Sequence, residues 1–238
     1  MNIVRLISDN LKSAIKKTGV ASLVVSGGSS PIKIFEELSE IDLPWSKVQI
    51  TLVDDRLVDA KDINSNQKLL LEHLLKKKAK NANFLPLTED FILNNEFKMP
   101  FDITLLGMGE DGHFASLFPN MIGDYDAFNI DAEYKVFKTS SNGDPFLPRI
   151  TMNLSLILNS EVIILLVKGK MKEYIHQGKK IALVINTVDW KKGLDFFTEE
   201  NFFIQVGTWW YDSGKTLDRH IHKRYERIAE RTMETIYV

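Results

Sequence analysis

Cysteine is absent from this 238-residue sequence. Without thiols the chain can form no disulfide, offers no thiolate ligand to a metal and has no cysteine nucleophile. Any catalytic chemistry must therefore come from histidine, carboxylates, hydroxyls, lysine or bound water.

An excess of charge of either sign is also lacking. The 30 lysines and arginines nearly balance 32 aspartates and glutamates, which leaves a net charge of −2. No overall positive field would attract nucleic acid or an anionic membrane, and no apolar run is long enough to span a bilayer. The first five residues lack the pattern of a secretion signal. We therefore expect a cytoplasmic protein that binds neither nucleic acid nor membrane.

Short apolar runs alternate with helical patterns along most of the chain. The runs are typical of buried strands and lie at residues 21–25, 48–53, 101–106, 162–167 and 181–185. Helices are predicted at residues 32–39, at 67–77 with the lysine-rich residues 76–80 at its end, and from about residue 170. This alternation predicts an α/β fold, an open and mostly parallel doubly wound (Rossmann-like) sheet with helices on both faces.

A change in composition near residue 190 divides the chain. Residues 189–238 include Trp190, Trp209 and Trp210 and a histidine- and arginine-rich end, and they do not continue the strand–helix alternation. We predict one domain over residues 1–190, followed by a divergent segment at 191–238.

The turn after the predicted strand at 101–106 carries the most distinctive cluster. Gly107, Gly109 and Gly112 allow the backbone to turn sharply and to approach a ligand closely. Asp111 and His113 lie in the same turn, at the end of the sheet where open α/β proteins bind ligands. Histidine changes charge near neutral pH and can act as a base, although a histidine in such a turn can also be purely structural.

A second glycine-containing loop, SGGSSP at residues 26–31, follows the predicted strand at 21–25. Ser30 is predicted as the N-cap of the next helix and Pro31 as its first residue. Free N–H groups at a helix N-terminus attract anions. The candidate phosphate-binding residues of this loop are Gly27, Gly28 and Ser29, and a plain tight turn is the alternative.

Three cationic residues follow other predicted elements. Arg56 comes after the strand at 48–53, where its guanidinium could bind a phosphate or pair with a neighbouring acid. Ser65 is predicted to cap the helix that follows. Arg149 lies beside a turn, and Lys172 lies in the first turn of a predicted helix, where a cation is favoured only with an anionic partner.

Parallel strands end at one edge of their sheet. The glycine loop, Arg56, the His113 turn and Lys172 are therefore predicted to converge on one cleft. That combination suits acid–base chemistry on a small phosphorylated substrate and calls for no metal.

These motifs, in this order, resemble the 6-phosphogluconolactonase family over about residues 23–172. The resemblance is carried by SGGSSP, DDR with a later SN, LLGMGEDGHFASLFP, PRIT and GKMK. Related glucosamine-6-phosphate deaminases and isomerases share the Gly-x-Gly-x-Asp-Gly-His core. They continue with a sequence resembling Ala-Phe-Asn-Glu-Pro, where this chain has ASLFP at residues 115–119, so the lactonases are favoured.

The resemblance implies hydrolysis of 6-phospho-D-glucono-1,5-lactone to 6-phospho-D-gluconate in the oxidative pentose phosphate pathway, without metal or cofactor. It makes His113 the base that activates water and Asp111 its orienting neighbour. The implied substrate-binding residues are Gly27, Gly28, Ser29, Arg56, Arg149 and Lys172. An amino-sugar-phosphate isomerase or deaminase, or a non-catalytic sugar-phosphate-binding protein, is the alternative, and we expect a monomer or small homo-oligomer.

Two features depart from the family pattern. The family usually has Asp-Glu-Arg where this chain has Asp54-Asp55-Arg56, which shortens one carboxylate by a methylene. Near the C-terminus, a motif that faintly resembles the first metal-binding motif of a cupin barrel comprises Gly214, His220, His222 and Glu226. A packed tail, or an incomplete cupin-like piece that binds metal poorly, is expected there.

Overall fold

The computed structural model describes residues 3–93, 97–109, 113–121, 124–167 and 233–237. Its principal sheet has six strands, and each neighbouring pair is parallel. They are β1 (Ala21–Val25), β2 (Val48–Leu52), β4 (Asn83–Phe84), β5 (Phe101–Gly107), β8 (Ser160–Val167) and β9 (Met233–Tyr237). Their order across the sheet is β4-β2-β1-β5-β8-β9, and the predicted parallel α/β sheet is confirmed.

Helices flank this sheet. They are α1 (Ile3–Thr18), α2 (Ile32–Ser39), α3 (Asn66–His73), α4 (Tyr125–Phe128) and α5 (Leu154–Leu158), with 3-10 turns at Trp45–Lys47, Lys77–Asn81 and Pro119–Met121. Helix α1 was not among the predicted elements. Its buried residues, among them Ile3, Ile7, Leu11 and Ala14, recur at helical spacing and form one apolar face. No helix of the described ranges is long and apolar enough to cross a membrane.

Strands β1, β5 and β8, in the middle of the principal sheet, bury side chains on both faces, because successive side chains point to opposite sides. In β1, Leu23 and Val25 join the core formed with α1, α2 and α3. Val24, between them, joins the opposite core, to which α4, α5 and a second sheet contribute. The near-continuous apolar runs in the sequence are therefore explained by burial on both sides.

The second sheet is a small antiparallel one that the sequence patterns did not predict. It contains β3 (Asp54–Arg56), β6 (Val136–Asn142) and β7 (Leu147–Met152), in the order β3-β7-β6. The predicted strand at 48–53 ends at Leu52, and the chain leaves the first sheet to enter the second at Asp54. Arg56 and Arg149 are direct cross-strand partners in it.

The predicted range of α2, residues 32–39, is confirmed, whereas its predicted N-cap and the predicted end of α3 were wrong. Helix α2 begins at Ile32 with Pro31, not Ser30, as N-cap, because the carbonyl of Pro31 accepts the first helical hydrogen bond from Phe35. Helix α3 ends at His73, since Lys76 is extended and Lys77 has a φ of +48°, which interrupts helical hydrogen bonding. The lysine-rich run forms a separate 3-10 turn.

Several predictions fall outside the described residues. They concern Asp111, Lys172, the helix from about residue 170, the strand at 181–185 and the boundary at residue 190. Of the segment at 191–238, only Met233–Tyr237 is described, as strand β9 beside β8.

Candidate active site

The loop between β1 and α2 forms one wall of a cleft at the carboxyl edge of the principal sheet. Gly28 has a φ of +82°, a left-handed conformation that glycine adopts without steric cost. Helix α2 has no side-chain cap hydrogen bond at its N-terminus. The first N–H groups of that helix are therefore available to a ligand.

Gly27 is required for a different reason, the close approach of another side chain. A Cβ at this position would lie 2.0 Å from Oδ1 of Asn66. Asn66 is 2% exposed and is the first residue of α3. The loop and the N-terminus of α3 are thus in direct contact, which only a residue without a side chain permits.

Arg56 is held in the cleft by that same asparagine. Its Nη1 donates to Oδ1 of Asn66 at 2.6 Å and to the carbonyl of Asn64 at 3.0 Å. Its Nε is buried and has no hydrogen-bond partner among the described residues. The hydroxyl of Ser26, also buried and part of the cleft lining, has none there either. Such orphaned polar groups are costly unless a ligand or water satisfies them.

Asp55 faces the N-terminus of α3 and does not line the cleft. Its carboxylate accepts hydrogen bonds from the backbone N–H groups of Asn66 at 2.6 Å and Gln67 at 3.0 Å. Burial raises the pKa of Asp55 above its ordinary 3.8, while these N–H donors oppose the shift. Ser65, the predicted cap, is confirmed and accepts from the N–H of Lys68. The shortened carboxylate thus anchors the helix that presents Asn66.

The backbone of His113 lies beside that of Gly109, two residues after the end of β5. The carbonyl of His113 accepts from the N–H of Gly109 at 2.8 Å, and Ala115 has a φ of +49°, a conformation that non-glycine residues adopt at some cost. The imidazole stacks on the ring of Phe118, with centroids 4.5 Å apart and planes inclined by 28°. This aromatic contact restrains the orientation of the imidazole in the cleft.

Asp54 and Ser116 were missed as site residues by the sequence reasoning. Asp54 is buried and lines the cleft. Its Oδ2 accepts a 2.5 Å hydrogen bond from the hydroxyl of Ser116, and the N–H of Ser116 donates to Oγ1 of Thr151. The signal was present in the sequence, since Asp54 begins the DDR motif and Ser116 follows His113 by three residues. Their contact joins positions 62 residues apart.

Arg149 lies in strand β7 and not beside a turn. The side chain of Arg149 is buried. Its Nε donates a hydrogen bond to the carbonyl of Asn142, and its Nη2 donates one to the carbonyl of Pro145. The guanidinium carbon is 5.3 Å from the centroid of Phe118, within range of a cation–π contact. The hairpin carrying β6 and β7 therefore fixes this cation.

The cleft has a volume of about 190 Å³. It brings together the predicted residues Gly27, Gly28, Ser29, Arg56, His113 and Arg149, and adds Ser26, Ser30, Asp54, Asn66, Gly107, Met108 and Ala115. Within the described residues, no group of three or more His, Asp or Glu is arranged to hold a metal ion; His220, His222 and Glu226 are outside them.

This arrangement defines a class of protein. A parallel α/β sheet whose carboxyl edge carries an uncapped helix N-terminus, two arginines and a histidine is suited to binding a small anionic substrate beside an acid–base group.

The chain belongs to the family of glucosamine-6-phosphate isomerases and 6-phosphogluconolactonases, whose family model matches residues 1–180. The 6-phosphogluconolactonase of Neisseria meningitidis is 35% identical over 199 residues, covering 76% of this chain and 85% of that protein. That of Caulobacter vibrioides is 33% identical over 179 residues, covering 71% and 77%. The crystal structure of the Shewanella baltica 6-phosphogluconolactonase superimposes with a TM-score of 0.64 at 36% identity, covering 74% of this chain and 79% of that one.

Proposed function

We propose that this protein hydrolyses 6-phospho-D-glucono-1,5-lactone to 6-phospho-D-gluconate, the second step of the oxidative pentose phosphate pathway. The observation that carries the proposal is the single cleft in which His113 meets an uncapped helix N-terminus, Arg56 and Arg149. Relatives that share a third of their residues with this chain carry the name of that lactonase.

In this reaction His113 accepts a proton from water while the water oxygen bonds to the lactone carbonyl carbon. The carbonyl electron pair moves to the carbonyl oxygen and forms a tetrahedral oxyanion. When the oxyanion collapses, the bond from that carbon to the ring oxygen breaks, and the imidazolium returns its proton to the departing oxygen. A δ-lactone is an activated ester, so one positioned base with stabilisation of the oxyanion suffices. Asp111 is proposed to orient or electrostatically support His113.

The phosphate of the substrate is proposed to bind between the glycine loop and Arg56. The N–H groups at Gly27, Gly28 and Ser29 supply donors at the positive end of α2. The Nε of Arg56 supplies a further donor, since it is buried without a partner among the described residues. Arg149 and Lys172 are proposed to add positive charge around the bound substrate.

Comparison of two lactones tests the proposal. The purified protein should hydrolyse the 6-phosphorylated lactone with a far higher kcat/KM than unphosphorylated glucono-1,5-lactone, because only the first engages the cationic end of the cleft. Equal kcat/KM values would contradict the assigned phosphate site. Isomerisation or deamination of glucosamine 6-phosphate, without lactone hydrolysis, would favour the other activity of the family.

A cytoplasmic location and a monomeric or small homo-oligomeric state are also proposed. Cell fractionation and light scattering of the purified protein test them.

A further inference from the structure

One aromatic ring contacts two of the proposed active-site groups. Phe118 is 2% exposed. The imidazole of His113 stacks on it at 4.5 Å, and the guanidinium carbon of Arg149 is 5.3 Å from its centroid. Stacked and cation–π contacts each favour a defined geometry, so the ring restrains both groups.

The ring itself is held in place by the β6–β7 hairpin. A Cβ on Gly143 would lie 2.8 Å from Cε1 and Cζ of Phe118 and 3.1 Å from Nη2 of Arg149. Gly143 also has a φ of +69°, which glycine adopts without cost. The backbone at the hairpin tip therefore packs directly against the ring edge, where a larger residue would push it away.

We propose that Phe118 is a positioning residue for hydrolysis, whose ring sets the plane of the His113 imidazole relative to Arg149. The inference rests on the proposed lactonase function. Phe118 exchanges no proton with the substrate. It acts by keeping the His113 imidazole in an orientation in which the water molecule it activates faces the lactone carbonyl carbon. Catalytic rates are sensitive to displacements of about 1 Å in such an arrangement.

Removal of the ring would affect the two groups through different contacts. Arg149 keeps its hydrogen bonds to the carbonyls of Asn142 and Pro145 when the ring is removed. The imidazole of His113 loses its stacking contact with the ring. Loss of the ring should therefore lower kcat while KM stays close to the wild-type value.

Phe118→Leu tests the proposal, with Phe101→Leu as a matched control. Phe101 is also fully buried but begins β5, at the end of the strand opposite the cleft. Both changes remove a buried ring, and denaturant unfolding measures the stability that each costs. We expect Phe118→Leu to lower kcat by about 10- to 100-fold and Phe101→Leu to leave kcat unchanged. Phe118→Met, whose unbranched and flexible side chain can fill an irregular gap without a ring, replaces the leucine variant if that variant does not fold.

Two further measurements separate positioning from general packing. In wild-type protein, the imidazole proton signals that disappear in His113→Asn should show an upfield ring-current shift, and this shift should vanish in Phe118→Leu. In a double-mutant cycle, Phe118→Leu should cost little further turnover once His113 is asparagine, because both changes disable the same base.

The possible outcomes separate the positioning role of Phe118 from the lactonase function on which it rests. Equal kcat in Phe118→Leu and Phe101→Leu, or losses that multiply in the cycle, would overturn the positioning role while leaving the lactonase assignment intact. Near-wild-type turnover of His113→Asn alone would overturn the proposed function, and with it the role assigned to Phe118.

Discussion

Nη1 of Arg56 lies 2.6 Å from Oδ1 of Asn66, so an amide from the start of α3 determines where this guanidinium points. The amide is itself anchored, because Nδ2 of Asn66 donates to the carbonyl of Asp54 at 2.9 Å. The carboxylate of Asp55 accepts a hydrogen bond from the backbone N–H of Asn66. The DDR motif and the SN motif thus form one unit that holds Arg56 in the lining of the cleft.

Asn66→Ala removes the acceptor that orients Arg56. Hydrogen bonds to charged groups contribute about 1.5–3 kcal/mol, so we expect KM for the phosphorylated lactone to rise by at least about tenfold. Asn64→Ala is the matched control, since Arg56 contacts only the backbone carbonyl of Asn64, and it should leave KM unchanged. Steady-state kinetics on both variants make the comparison, and an unchanged KM in Asn66→Ala would contradict it.

Gly27→Ala should produce a similar rise in KM, because the new methyl group would displace the Asn66 amide. In an Asn66→Ala background the contacts with Oδ1 and Cγ are absent and only the contact at 2.8 Å with Cβ of position 66 remains, so the same change should then have a much smaller effect. Gly28→Ala is the control: its Cβ meets no atom within 4 Å, but its φ of +82° imposes backbone strain of about 1–2 kcal/mol. The effect of Gly28→Ala on KM should therefore be the same in the wild-type and the Asn66→Ala backgrounds. Independent effects of Gly27→Ala and Asn66→Ala on KM would rule out the steric explanation.

The stability of the protein should depend on the titration of Asp55. Burial raises the pKa of Asp55 in the folded state above 3.8, so the folded state holds this proton more tightly than the unfolded state does. The contribution of the Asp55 proton to the free energy of unfolding is then fully present below the pH at which the unfolded carboxyl titrates. It is lost as pH rises through the pKa of the folded state. Asp55→Asn cannot titrate at this position. The difference in unfolding free energy, wild type minus Asp55→Asn, should therefore fall as pH rises from acid; a difference that grows with pH would contradict the prediction.

His113→Ala removes the proposed base and should lower turnover by about two to four orders of magnitude, the usual contribution of such a group. KM for the phosphorylated lactone should change little, because the phosphate contacts come from other residues. Circular dichroism confirms that the variant is folded. Turnover near the wild-type rate in a folded variant would exclude His113 as the base.

Hydrolysis is predicted to need no metal, since base, acid and cations all come from residues before position 175. Treatment with EDTA should leave turnover unchanged. The double variant His220→Ala/His222→Ala should do the same, because an isolated pair of histidines with one carboxylate is a poor metal site. Loss of activity with EDTA and its recovery with a divalent cation would show that both predictions are wrong.

Much of this cleft could be predicted from local sequence. Short apolar runs alternating with helical patterns predicted β1, β5 and β8, and the shared edge of parallel strands predicted that the glycine loop, Arg56 and His113 would meet. These predictions succeeded because burial on both faces of a strand and the turn-forming role of glycine act over a few neighbouring residues.

Other features could not be predicted from local sequence. From local sequence, a surface residue beside a turn was the alternative to a binding role for Arg149, whereas Arg149 is buried in β7, pairs across the strands with Arg56 and lines the cleft. Asp55 looked like a shortened site carboxylate, whereas it anchors α3. Each depends on the path of a distant segment, which no pattern in the neighbouring residues specifies.

The sequence by itself determined that the glycine loop, Arg56 and His113 lie at one edge of the sheet, because strand period and turn composition are local properties. Only the tertiary structure decided how those groups face one another. It placed Asn66 against Gly27, Ser116 against Asp54, and the ring of Phe118 against His113 and Arg149. Contacts of this kind arise when separate elements pack around the two cores, and their geometry follows from the whole set of packed side chains rather than from any one segment.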